Sequence, residues 1–445
     1  MINNPKVSYT NDSRITLIIL TLVYIIAVMW GFIVYLVPWW GYFGIEYTEL
    51  SIEIKLMVAV FCLLPVFWMP IKIIRPSMFA YWILYFLTYI PMIVGSGLES
   101  KFETSERIYI SIAYLVGFKL LGASYQFKLV DFGNKNIQAK YFWLFYYLVT
   151  FSMFLYVLFL FRDNLTFADL FSSDAVYDTR FSGQEIENQS VIAGHFIMWL
   201  SNALFPFLIA VGLVNKDRVK LIIGIVGLVL LYMTMANKQF LFVILFMILI
   251  YRLFRMKSQR VITYFLLGLL IPTILLVYSQ TLKDFSLVLF SISGIFLLRT
   301  VYTSTFMSVY YNIFFENHPY LYFSHISGIN KFVDYPYKNQ IGVEVGSYFT
   351  KFDNYNANAN FFITDGLSSI GLLGIPLMGL LCAIVFFLFD SSANKKNRLL
   401  SILLIASSAV ALMNVSLFTT LISGGLLFFI LLINNSGNII NKAQE

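Results

Sequence analysis

Residues 283–299 read KDFSLVLFSISGIFLLR. An apolar run bounded by charges is the mark of a membrane span, but this one is short. Crossing ~30 Å of hydrocarbon takes about 20 apolar residues. Read as a span, it adds one crossing and moves every later loop to the other side of the membrane. The fold turns on that reading.

The rest of the chain supplies the test. Of 445 residues, 59% are hydrophobic and 12% charged, and mean hydropathy is +0.79. Soluble domains carry roughly a quarter charged residues. The alternating ~10-residue segments of a membrane β-barrel are absent. The composition therefore predicts an all-α polytopic integral membrane protein, one transmembrane domain over 1–445. Twelve spans are expected without 283–299: about 15–37, 56–71, 78–95, 108–123, 141–161, 191–214, 221–236, 239–251, 261–279, 367–389, 399–415 and 418–434. The first lacks a small-residue cleavage site and reads as a span, not a signal peptide. The seventh and eighth are short and meet at Asn237–Gln239, as a tight hairpin or as broken helices.

Charge settles the parity. Alternate segments, counted from the N-terminus, hold 18 basic residues and five acids, and the opposite segments hold 11 and 18. Basic residues collect in cytoplasmic loops, so both termini are expected in the cytoplasm. A thirteenth span would spoil the alternation. Residues 283–299 must then re-enter the membrane or lie on its outer surface, inside one large outer-face segment of about 280–366. A second outer loop, 162–190, is acidic. The net charge of +7 comes from short loops between spans, which argues against nucleic acid as a partner. No Walker A or G-x-G-x-x-G fingerprint is present, and the cytoplasmic loops are too short for a nucleotide-binding domain. Cys62 and Cys382 lie within spans and read as packing residues.

Candidate site residues therefore come from the outer side. Arg299 ends an apolar run, and its planar fork suits phosphate oxygens. Lys238 interrupts two apolar runs. A cation facing lipid at mid-depth costs ~2.5–3.5 kcal/mol, so it is expected to face a wet cavity. Arg180 in the acidic loop is a third cation that could meet an anion. Tyr302 and His318 belong to a tyrosine-rich stretch whose rings and polar tips suit polyhydroxyl ligands. Histidine is the commonest general base, so His325 could act as one, as could Asp365. In NYNANANFFITDG (354–366), alternation in an extended stretch would align Asn354, Asn356, Asn358 and Asn360 on one face. Asp365 is then expected to cap the tenth helix. No spacing of ligands points to a metal, and no D-x-D is present to hold a nucleotide-sugar metal.

The run LLRTVYTSTFMSVYYNIF (297–314), with HPYLYFSHI (318–326), YPYKNQIGVEVGSYF (335–349) and NANANFFITDGLSSIGLLGIP (356–376), resembles the oligosaccharide repeat-unit polymerases, the O-antigen polymerases of Wzy type. The likeness is specific over about 295–380 and is one of hydropathy elsewhere. The family's usual acid before the loop arginine is here Leu298. The resemblance implies a multi-pass protein of the bacterial inner membrane and a glycosyltransferase. Its substrate would be undecaprenyl-diphosphate-linked oligosaccharide, and a growing chain would pass onto the next lipid-linked unit. The donor is already activated, so no cofactor is implied. A flippase and a chain-length regulator of the same pathway are the implied partners, with the lipid bilayer. On this reading Arg299, helped by Lys238 and Arg180, stabilises the departing diphosphate, and His325 or Asp365 takes the hydroxyl proton. The asparagines would hold sugar hydroxyls. The rival readings are an O-antigen ligase and a lipid-linked oligosaccharide flippase.

Overall fold

The computed structural model describes residues 12–132, 138–169, 173–282, 286–350, 355–394 and 396–435. All regular structure among them is helical. Fifteen helical elements are used below: α1 (Arg14–Phe43), α2 (Ile52–Leu63), α3 (Ser77–Leu98), α4 (Thr104–Gln126), α5 (Ala139–Leu160), α6 (Ser173–Gln189), α7 (Val191–Asn215), α8 (Arg218–Met235), α9 (Lys238–Phe254), α10 (Val261–Ser279), α11 (Val288–Asn317), α12 (Ile341–Thr350), α13 (Phe362–Ser392), α14 (Arg398–Leu412) and α15 (Leu417–Asn434). Ten of them are long and apolar enough to cross a membrane. Phe145, Leu148, Leu245 and Leu275 are exposed on the outside of the bundle, as a lipid-facing surface requires. The chain has the build of a multi-pass membrane protein.

α3 is the core helix, buried over its whole length. Its aromatic and hydroxyl side chains answer a specific need. Pro65 follows α2 and has no N–H for the carbonyl of Phe61, and lipid offers no water to take its place. Tyr89 donates its hydroxyl there instead, at 2.8 Å, and Tyr85 donates to Cys62 O at 2.8 Å. Pro91 within α3 likewise leaves Leu87 O without its helical donor, and Ser304 of α11 donates to it at 3.4 Å. Thr305 adds a bond to Pro91 O, at 2.9 Å.

These bonds explain why the helix continues past the apolar window of 283–299. The hydropathy window closed at Arg299, yet the helix runs on through polar TVYTSTFMSVYYN. Of those hydroxyls, Ser304, Thr305 and Ser308 are buried against α3 and bond to its carbonyls. The helix is also bent. Its widened π-helical turns span Gly294–Tyr302. Phe290 stacks on Trp40 at the end of α1. Tyr302 donates to Val28 O, 2.8 Å, about three turns further down α1. Tyr310 then donates to Phe43 O, 2.7 Å, at the end again. Both arms of α11 thus meet the same end of α1. A side chain at Gly31 would collide with the Tyr302 hydroxyl, so glycine is what lets the bend approach.

Three expected spans are short in the structure. Residues 56–71, 239–251 and 399–415 correspond to α2 with its 3-10 extension to Phe67, to α9 and to α14, of 12, 17 and 15 residues for the α-helices. α8 and α9 form the tight hairpin, turning at Ala236, whose φ is 47°. The 162–190 loop is largely a helix: α6 lies across the end of α8, and a Cβ at Gly183 would sit 2.5 Å from Thr234 O. The 280–366 segment is likewise mostly α11, a 3-10 turn and α12.

Polar contacts sort the connections to two ends. At one, Asp12 accepts from the Ile262 and Thr263 amides, Arg75 donates to Ser124 O and Asn397 donates to Ile433 O. At the other, Lys101 pairs with Glu46, Tyr310 meets Phe43 and Asp365 meets Leu417. Asp390 anchors the first end. It is 1% exposed and accepts from Ser77 N at 3.0 Å and Ser77 Oγ at 2.6 Å. Asp390→Ala leaves the Ser77 amide buried without its acceptor and Ser77 Oγ with only the Tyr125 hydroxyl, at 3.3 Å. We expect a loss of about 2–3 kcal/mol, read as a lower thermal midpoint in detergent. An unchanged midpoint would deny Asp390 that anchoring role.

Candidate functional site: a cation cluster beside a carboxylate–imidazole pair

Asp365 is the most completely bonded acid at the second end. It is fully buried. One oxygen accepts from Ser416 Oγ at 2.6 Å and faces His325 Nε2 at 3.0 Å. The other accepts from Leu417 N at 2.6 Å. The expectation that Asp365 caps its own helix is corrected here. Asn360 does that, accepting from Phe362 N at 3.1 Å, and Asp365 lies within the first turn. It serves the start of α15 instead, together with Ser416, whose hydroxyl faces the Phe418 and Thr419 amides.

His325 is delivered by a strained turn. Tyr322 and Phe323 have φ of 46° and 64°, a left-handed conformation that costs roughly 1–2 kcal/mol per non-glycine residue. Two backbone bonds hold it, Leu321 N to Ser368 O at 2.8 Å and Tyr322 N to Ser369 O at 3.0 Å. With Nε2–H donated to Asp365, a neutral imidazole keeps its lone pair on Nδ1. That atom is buried and has no hydrogen-bond partner among the described residues. Once the side chains over it open, a substrate hydroxyl against Nδ1 would complete the missing bond and could pass its proton along it.

The cations come from three separate elements. Arg180 on α6 donates to Ala236 O, 3.4 Å, in the α8–α9 turn. Lys238 is the next residue but one. Burial, then the charges of Arg180 and Arg299, hold the Lys238 ammonium below its ordinary pKa, and Asp169 acts in the opposite sense. Arg299 itself is exposed on the bend of α11. Like charges repel, so an anion beside them is favoured, and Asp169 of this chain is one that acts on Lys238.

One cleft lies between the α8–α9 turn and the connection from α14 to α15. It encloses ≈ 50 Å³ and is lined on one side by Asn237 and Gln239, the neighbours of Lys238. On the other it is lined by Asn414, Val415 and Thr419, around Ser416.

The remaining expected residues lie apart from this cleft or in the packing. Tyr302 is fully buried, its hydroxyl bound to Val28 O, so in this structure it joins helices and does not face a ligand. His318 stacks on Phe314 at 3.9 Å and its Nδ1 meets Phe314 O at 2.8 Å. Asn356 and Asn358 are exposed while Ala357 and Ala359 are buried, as alternation predicts. Asn360 breaks the pattern: it is buried, because capping α13 draws it inward. Asn354 lies outside the described residues. Two residues were missed. Ser416 carried a legible signal, a serine directly before the apolar run of α15, but nothing in the sequence ties it to Asp365. Glu99 is buried at the same end, taking bonds from Glu46 N and Lys101 N. Burial raises its pKa against those bonds. Compared with known proteins, the chain matches no family model, no curated protein and no solved structure.

Proposed function

We propose that this chain polymerises lipid-diphosphate-linked oligosaccharide repeat units, in the manner of the O-antigen polymerases it resembles. It would work on the outer face of a bacterial inner membrane, with twelve crossings, both termini cytoplasmic and α11 re-entrant. One observation supports the reading: Arg180 and Arg299, from two other elements, both act on Lys238 as like charges, at the end of the bundle that also holds His325 and Asp365. In the reaction, the acceptor sugar's hydroxyl oxygen bonds to the anomeric carbon of the growing chain. The bond from that carbon to the lipid diphosphate breaks, and the diphosphate leaves with the electron pair. His325 Nδ1 takes the hydroxyl proton, Asp365 steadies the imidazolium, and the three cations meet the charge that develops on the leaving group. The exposed Asn356 and Asn358 are suited to sugar hydroxyls.

The test is reconstitution in liposomes with undecaprenyl-diphosphate-linked repeat units. A ladder of lengthening glycans is expected on gels. Transfer of chains to lipid A–core and no ladder would make the protein a ligase. Movement of the lipid-linked unit between leaflets with no new glycosidic bond would make it a flippase.

A further inference from the structure

The cleft between the α8–α9 turn and the connection from α14 to α15 has a lining that the reaction does not use. Four amide side chains face it: Asn202, Asn237, Gln239 and Asn414. Their fold-internal bonds are few. Asn414 Nδ2 donates to Val410 O at 3.2 Å and Asn202 Nδ2 to Ser423 O at 3.4 Å. Asn237 Oδ1 accepts from Gln239 N at 3.1 Å. The oxygens of Asn202 and Asn414, the nitrogen of Asn237 and the whole Gln239 amide are not engaged among the described residues. Met198, Phe240 and Val415 supply apolar wall between them.

Size narrows the occupant. By this measure one water needs about 10–15 Å³, so ≈ 50 Å³ has room for a substituent of a few heavy atoms and not for a sugar ring. Chemistry narrows it further. Unengaged acceptors on one wall and donors on another, with an apolar floor, match a group with an N–H, a C=O and a methyl. We propose that the cleft binds the acetamido arm of the sugar attached to the lipid diphosphate. The assignment rests on the polymerase reading and adds to it: the first sugar of the donor is selected by its N-acetyl group. Lys238 stands between two lining residues, so a diphosphate on the cations sets that sugar at the mouth of the cleft. A hydroxyl in place of the acetamido group would leave most of these partners to water.

The experiment uses the full chain in nanodiscs and two short polyprenyl-diphosphate probes, one bearing N-acetylglucosamine and one glucose. The acetamido probe is expected to bind at least about tenfold more tightly. Gln239→Leu and Asn414→Ala should shrink that gap to within about twofold while leaving the glucose probe's affinity unchanged. Gln239 is exposed and its amide bears no bond of the fold, so Gln239→Leu keeps the test valid if Asn414→Ala folds poorly. Equal binding of the two probes overturns the acetamido assignment and leaves the diphosphate site standing. So does a gap that survives in Gln239→Leu. Failure of both probes to bind overturns the diphosphate reading itself.

Discussion

Asp365→Ala is expected to abolish glycan polymerisation and to lower stability by about 3–5 kcal/mol, the range for removing one partner from a buried charged network. Three groups lose their acceptor at once: Ser416 Oγ, Leu417 N and His325 Nε2. The start of α15 then has an unpaired amide where no water reaches. This double effect does not separate catalysis from folding, and His325→Gln does. That change keeps Asp365 and its two bonds to α15. The imidazole is largely buried, its side chain 13% exposed, but glutamine can occupy much of its volume and donate to Asp365. Stability should fall by no more than about 1–2 kcal/mol, the size of one hydrogen bond. Polymerisation should fall by about 10²–10⁴-fold, the usual contribution of a positioned base. Thermal unfolding and the liposome ladder read the two effects on the same preparation. If His325→Gln polymerises at the wild-type rate, the pair is a structural clasp and the base lies elsewhere.

The sequence made the class of protein legible because lipid demands long apolar runs, and those survive any detail of packing. The three cations were legible for a related reason: each interrupts an apolar or acidic context where a charge is costly or conspicuous. Their meeting was not, since α6 and the bend of α11 reach the α8–α9 turn only through tertiary contacts. α11 misled because hydropathy averages over a helix without asking what its hydroxyls touch. Ser304, Thr305 and Ser308 count as polar, yet Ser304 and Thr305 bind α3 carbonyls at Leu87 and Pro91, and Ser308 binds Met92 O. Asp365 was singled out for a cap it does not make. The residue that makes it, Asn360, belongs by sequence to the alternating asparagines of 354–360. Local patterns name the residue types a cap requires, and only the fold says which helix receives it.

Arg299→Gln should separate function from stability more sharply than any change at Asp365. The Arg299 side chain is exposed and acts on Lys238 as a like charge. Removing its charge costs no buried contact and relieves repulsion, so the thermal midpoint should hold or rise slightly. Polymerisation should fall by about 10²–10³-fold, the effect of deleting one group that meets developing negative charge. Arg299→Lys should recover only part of this, because an ammonium cannot present the guanidinium's two parallel donors to a phosphate. Lys238 adds a pH signature. Its pKa is lowered, first by burial and then by its cationic neighbours, so the ammonium is lost earlier than an ordinary lysine's as pH rises. Affinity for the diphosphate should decline on that alkaline limb. Lys238→Arg should carry activity to higher pH, since a guanidinium stays protonated throughout. These residues would be reduced to membrane anchors by an Arg299→Gln protein that is unchanged in both stability and ladder. A structural ion cluster would instead show stability and activity falling together. Activity lost while stability is kept is the result expected of charges gathered for a ligand and not for the fold.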